Sequence, residues 1–124
     1  MIDQASFSLD VSRETFDDLV EFQNLLLQWT KTINLIAPST KADCWNRHVL
    51  DSAQLFPFIP ASAFHLVDLG SGGGLPALVL AIMAKKSRPD LRFTLIESDQ
   101  RKAVFLRTVS QQLKLAGNGQ GGQA

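Results

Sequence analysis

From Phe16 to Ile33 apolar side chains recur at helical spacing and form two adjoining stripes: Phe16, Leu19, Val20, Leu26 and Leu27 beside Phe22, Leu25, Trp29 and Ile33. A helix that apolar is covered on more than one side. Ser12 suits the N-cap and Glu14 the first turn, so the pattern predicts a helix from about Arg13 to Ile33. Asn34, then Pro38 and Ser39, end it, because proline cannot continue the backbone ladder. Residues 1–11 read as a loose lead-in.

A second helical pattern runs from Thr40 to about Phe56. Thr40-Lys41-Ala42-Asp43 resembles a capping box with Asp in place of Glu. Trp45, Val49, Ser52 and Phe56 share one side, while Asp43, Arg47 and Asp51 recur every four residues on another. Arg47 and Asp51 are therefore expected to pair. Pro57, Pro60 and the Ala61-Ser62 step make a linker.

The pattern then changes period. Phe64 to Leu69 is short and apolar enough for a strand buried on both faces. Glycines at 70, 72, 73 and 74 follow, and then Pro76 opens a helix with the apolar body Ala77 to Ala84. Such a strand, tight loop and helix start cradles a nucleotide-like ligand, since glycine allows close backbone approach and the helix start offers unpaired N–H groups. A second strand, near 92–97, contains Phe93-Thr94-Leu95-Ile96 and ends at Glu97, where nucleotide folds hold a ribose hydroxyl pair. Ser98 or Asp99 caps a last helix whose Ala103, Phe105, Leu106, Val109 and Leu113 recur at helical spacing, ending near Gly117.

Asp68-Leu69-Gly70-Ser71-Gly72-Gly73-Gly74 with Glu97 resembles the cofactor signature of class I S-adenosylmethionine-dependent methyltransferases. Three further stretches narrow the resemblance: Trp29 to Ala37, Arg47-His48-Val49-Leu50-Asp51-Ser52, and Glu97-Ser98 with Lys102 to Leu106. In order and spacing these resemble the bacterial small-subunit (16S) ribosomal RNA guanine-N7 methyltransferase family, also called glucose-inhibited division protein B, over about residues 16 to 115.

The resemblance implies an α/β fold, with N-terminal helices followed by an incomplete Rossmann-like class I methyltransferase sheet. It divides the chain into a helical subdomain at 1–60, a cofactor-binding βαβα part at 61–116 and a glycine-rich tail at 117–124. It implies S-adenosyl-L-methionine as cofactor, held by Asp68, Gly70, Ser71, Gly72, Gly74, Leu75 and Glu97. Gly70, Gly72 and Gly74 would approach the methionine part, Asp68 would orient the loop or the amino group, and Glu97 would hold the ribose. It also places Arg47, His48, Asp51 and Ser52 at the active-site entrance, toward small-subunit ribosomal RNA. No catalytic acid or base is implied, because guanine N7 already carries a lone pair and methyl transfer proceeds by alignment. Two departures stand out. Ala77 occupies a position that is usually glycine, so its methyl is expected close to the loop. The end of the chain, from 117 to 124, holds four glycines in eight residues and cannot be a third strand, as in a truncated or frameshifted enzyme.

Composition adds limits. No run of about 18 apolar residues exists to span a membrane, and the start lacks the basic and apolar regions of a signal peptide, so a cytoplasmic, monomeric protein is expected. One cysteine, Cys44, and two histidines leave no metal-ligand cluster in view, and Cys44 reads as packing. The net charge of zero hides an asymmetry: residues 1–64 carry four basic and eight acidic side chains, and 65–124 the reverse. Lys85, Lys86, Arg88, Arg92, Arg101, Lys102, Arg107 and Lys114 could together attract phosphates, or form a solvated face. Two other readings stay open. A nicotinamide-dependent oxidoreductase domain would use the same loop and acid, but its G-x-G-x-x-G spacing fails at Leu75. A catalytically inactive remnant would retain binding only.

Overall fold

The computed structural model describes residues 11–70 and 72–115. Helix α1 spans Arg13–Ile33, and the Ser12 hydroxyl caps it by accepting from Thr15 N at 3.1 Å, a contact worth about 1 kcal/mol. Both expected stripes face protein: Phe16, Leu19, Phe22, Leu26 and Ile33 are buried, while Val20, Leu25, Leu27 and Trp29 are half-buried against the same core. The helix ends earlier than Pro38 requires. Asn34 turns left-handed at φ 51° and returns its N–H to the Thr30 carbonyl.

The second helical segment is not one α-helix. It opens as a 3₁₀ turn over Pro38–Asp43, widens to a π-helix over Trp45–Leu50, and closes as the short α2, Asp51–Ala53. Thr40 does not cap it, because the Thr40 hydroxyl donates back to the Ala37 carbonyl at 2.8 Å. Trp45, Val49 and Ser52 are nevertheless buried and Phe56 half-buried, as the apolar spacing predicts. Arg47 and Asp51 do not form the expected ion pair; they span a stretch whose hydrogen bonds close at five residues rather than four, which changes how residues four apart line up.

A 3₁₀ turn at Phe56–Phe58 leads to the linker, which Arg88 fixes. The Arg88 guanidinium donates to the carbonyls of Ile59, Pro60, Ala61 and Ala63 at 3.0–3.5 Å. Strand β1, His65–Leu69, then pairs in parallel with β2, Arg92–Ile96, in the register Leu66 to Phe93 and Asp68 to Leu95. Between them lies α3, Ala77–Ser87, buried from Ala77 to Ala84. Helix α4, Gln100–Gln112, follows; the Asp99 carboxylate caps it by accepting from Arg101 N and Lys102 N at 2.9 and 3.1 Å. It ends at Leu113 with Lys114 at φ 54°, before Gly117, which lies outside the described residues together with the glycine-rich tail.

One core joins these elements. Phe16, Leu19, Phe22 and Leu26 of α1 pack with Leu78, Val79 and Ile82 of α3, Phe93 and Leu95 of β2, and Phe105, Leu106 and Val109 of α4. Rings reinforce two junctions: Phe16 meets Trp45 edge-on at 5.6 Å between centroids, and Trp29 tilts against Phe105 at 5.5 Å. Ion pairs from Lys85 to Asp18 and from Lys86 to Glu14 tie α3 to α1, and Lys85 also donates to the Leu113 carbonyl at the end of α4.

The expectation of a strand buried on both faces fails for β1. Its residues alternate between exposed and half-buried, and Phe64, Val67 and Leu69 are 75, 51 and 74 % exposed. The helices cover one face of the pair, where Leu66, Phe93 and Leu95 point, while among the described residues nothing covers the other. An apolar groove of about 350 Å³ lined by Leu55, Phe58, Ile59, Pro60, Ala63 and Leu66 lies beside the strand.

Candidate functional site

The sheet ladder continues into the glycine loop: Gly70 N donates to the Ile96 carbonyl at 2.8 Å, so the loop starts level with the end of β2. Gly70, Gly72 and Gly74 take φ of +70, +54 and +79°. The loop has an open side and a packed side. A Cβ on Gly70 would meet nothing within 4 Å, and one on Gly72 only the Gly70 carbonyl at 4.0 Å. A Cβ on Gly73 would press on Leu26 Cδ1 at 3.2 Å and the Leu35 carbonyl at 3.3 Å, and one on Gly74 would run into the Leu78 side chain, 2.7 Å from its Cγ. Gly73 and Gly74 are accordingly buried, against α1 and α3. The Leu75–Pro76 peptide is cis, and Leu75 is half-buried.

Glu97 borders the open side. It is only 7 % exposed, and its Oε1 accepts from Gly72 N at 2.7 Å while Oε2 accepts from Asp99 N at 2.9 Å. Each carboxylate oxygen has a second lone pair, so the group keeps accepting capacity after both bonds are made. Asp99 lies just beyond, its carboxyl held below the usual range first by the Lys102 backbone N–H. Asp68 sits half-buried opposite Leu95, two residues before Gly70. The structure thus gathers Asp68, Gly70, Gly72 and Glu97 at the carboxyl ends of two parallel strands. Gly74 serves packing on α3, and Ser71 lies outside the described residues.

Ala77 opens α3, three residues after Gly74. It is fully buried and belongs to the core cluster.

Arg47, His48, Asp51 and Ser52 occupy the π-helical turn and α2. Arg47 and Asp51 are exposed, Ser52 is buried, and His48 is half-buried with Nε2 at 2.8 Å from the Thr40 hydroxyl. Because that hydroxyl donates its proton to Ala37, its oxygen accepts from His48 Nε2–H, which leaves Nδ1 as the site of protonation. Burial, and then Arg47, pull the His48 pKa below its ordinary value. Cys44 is buried and its thiol is pushed up to about 11 by desolvation, as suits a packing residue. Among the described residues no group of three His, Cys, Asp or Glu could hold a metal ion, and no helix is long and apolar enough to cross a membrane.

The basic half of the chain is less available than its count implies. Lys85, Lys86 and Arg88 are committed to Asp18, Glu14 and the linker carbonyls, and Arg101 sits 4.0 Å from Asp99. Sequence reasoning gave no site role to three residues that shape it. Leu35 backs the loop at Gly73, Thr30 holds the Leu35 amide, and Thr40 sets the His48 tautomer. The available signal was a threonine four positions before an asparagine that can turn left-handed.

Two parallel strands joined through a glycine loop and helix, with an acid at the end of the second strand and helices leading in, define the front part of a Rossmann-like α/β fold. The model of the family described as rRNA small subunit methyltransferase G matches residues 15–118, and the chain belongs to that family. It is 55 % identical over 106 residues to the ribosomal RNA small subunit methyltransferase G of Jannaschia sp. (strain CCS1), covering 86 % of this chain and 50 % of that one. The proteins of that name in Dinoroseobacter shibae and Parvibaculum lavamentivorans are 51 and 49 % identical over 98 and 113 residues, 79 and 90 % of this chain and 50 % of each relative. The chain therefore spans about half the length of the curated relatives it matches.

Proposed function

We propose that this chain carries the S-adenosyl-L-methionine-binding half of a cytoplasmic methyltransferase that acts, as a single copy, on guanine N7 of small-subunit ribosomal RNA. The observation behind this reading is the bond from Gly72 N to Glu97 Oε1, which joins an amide-bearing loop to a buried carboxylate beside an open face. The residues present fit such a group: the open space at Gly70 and Gly72 is the cradle that a side chain would fill. When bound, the cofactor supplies a methyl group on a positively charged sulfur. Glu97 uses its remaining lone pairs to accept from ribose hydroxyls, Asp68 orients the loop from the end of β1, and Leu75 lines the turn into α3. Arg47 and Asp51, exposed beside His48 and Ser52, lie toward the RNA. No side chain is asked to remove a proton, because the purine nitrogen attacks through its own lone pair.

Titration of the 124-residue chain with S-adenosylmethionine in a calorimeter, with Glu97→Ala alongside, tests the reading. Saturable heat that the variant loses is the expected result. No heat from a chain whose circular dichroism reports a folded state would overturn the cofactor assignment and leave a binding remnant.

A further inference from the structure

Thr30 is 1 % exposed, at the last turn of α1, and its hydroxyl oxygen accepts two backbone N–H groups, from Leu35 at 2.7 Å and Ile36 at 3.1 Å. Its carbonyl accepts a third, from Asn34 at 3.2 Å. One residue therefore ties down the whole reversal that follows the helix. That reversal has a neighbour: the Leu35 carbonyl and Cβ stand 3.3 and 3.4 Å from where a Cβ on Gly73 would lie, and Leu26, one turn before Thr30, stands at 3.2 Å. Gly73 rests in a slot with one wall from Leu26 of α1 and the other from Leu35 in the turn that follows it. The next residue back, Gly72, is the one bonded to Glu97.

We propose that Thr30 is a positioning residue for the glycine loop: by holding the Leu35 and Ile36 amides it fixes the wall behind Gly73, and so keeps the Gly72 amide on Glu97. The inference rests on the cofactor reading above for its functional meaning, but its geometry stands without a ligand. A capping role alone would confine the effect of Thr30 to α1 and the turn after it. A positioning role extends the effect to a loop more than forty positions away in sequence.

The test compares Thr30→Val, which keeps the shape and removes the acceptor, with Thr30→Ser, which keeps the acceptor. Amide hydrogen exchange of the 124-residue chain is read at Gly72, Gly73 and Gly74, with Leu95 of β2 as an internal reference. For Thr30→Val, exchange at Gly72 and Gly73 is expected to quicken about tenfold relative to Leu95, the equivalent of one lost hydrogen bond. Thr30→Ser should restore the parental rates. Faster exchange confined to Leu35 and Ile36, or a uniform rise that includes Leu95, would overturn the proposal in favour of simple capping or general loosening. Gly73→Ala approaches the same contact from the other side, and serves if Thr30→Val does not fold. It should quicken exchange at Leu35 and Ile36, and unchanged rates there would overturn the coupling. Calorimetry with S-adenosylmethionine on the same samples separates the two claims. A parent chain that does not bind refutes the cofactor reading while the exchange data still judge Thr30. A parent that binds should lose about tenfold in affinity on Thr30→Val and little on Thr30→Ser.

Discussion

The backbone N–H of Gly72 donates to Glu97 Oε1 at 2.7 Å, across 25 positions of sequence, and so fastens the glycine loop to the end of β2. The other oxygen of the same carboxylate receives Asp99 N, at the entry to α4. Replacing Glu97 by alanine removes the acceptor from both amides and is expected to destabilise the chain by about 1–3 kcal/mol. Glu97→Gln keeps one oxygen acceptor and should recover part of that. Urea denaturation of the three chains measures the ordering; equal midpoints would show that solvent replaces the carboxylate without loss.

The glycines of the loop are not equivalent. Gly70→Ala suffers only from its positive φ, a cost of about 1–2 kcal/mol, because its Cβ meets open space. Gly74→Ala adds a collision with Leu78 and should cost roughly 2–5 kcal/mol. Thermal denaturation of both variants should therefore rank Gly74→Ala well below Gly70→Ala, whereas ligand binding should be hurt more per unit of stability lost by Gly70→Ala.

Arg88 replaces missing secondary structure in the linker by donating to four carbonyls between Ile59 and Ala63. Arg88→Ala is expected to cost about 1–3 kcal/mol, and Arg88→Lys to rescue little of it, since an ammonium lacks the planar fork that reaches several carbonyls at once. Limited proteolysis should report the change first as cleavage near residues 59–63.

His48 makes stability depend on pH. Its folded pKa lies below the ordinary value of about 6.5, so the neutral ring is the form the fold favours. The contribution is present in full above that value and is lost as the pH falls through the lower folded pKa. Denaturation midpoints compared at pH 7.5 and pH 5 should fall in the parent by more than in His48→Gln. A parallel fall in both would assign the effect to other groups.

The proposed working form is a single copy, but the bare edge of β1 predicts that the 124-residue chain by itself associates as its concentration rises. Val67 and Leu69 lie on a short strand whose edge away from β2 is unpaired among the described residues, beside the exposed Phe64. Such an edge is a template for another strand, and a lysine on it is a natural deterrent. Light scattering should show concentration-dependent association of the parent and its reduction in Val67→Lys.

Much of this was legible in the sequence because it is local. Ser12 and Asp99 announce helix starts through their own side chains, and the run from Leu66 to Pro76 announces strand, loop and helix through backbone preference alone. What failed was the cover over β1, the regularity of the segment from Pro38 to Ala53 and the contacts made there. An apolar strand reads as buried on both faces, but whether both faces are covered depends on segments distant in the chain, and among the described residues β1 is covered on one. The π-helical turn at Trp45–Leu50 has no local signature in its residues, and it undid the spacing argument for Arg47 and Asp51. The candidate site divides in the same way. Asp68, Gly70, Gly72 and Glu97 were visible as a motif, whereas the support from Thr30 and Leu35 and the Thr40 partner of His48 exist only once α1 and the segment after it have turned back on themselves.

The uncovered side of β1 also bears on how long the chain survives in a cell. A strand edge unpaired among the described residues and flanked by the exposed Phe64, Leu69 and Phe58 has the features by which chaperones and proteases sort polypeptides. At equal core stability, a chain whose β1 is covered is then expected to outlast one whose β1 is bare, because covering removes the features that such sorting reads.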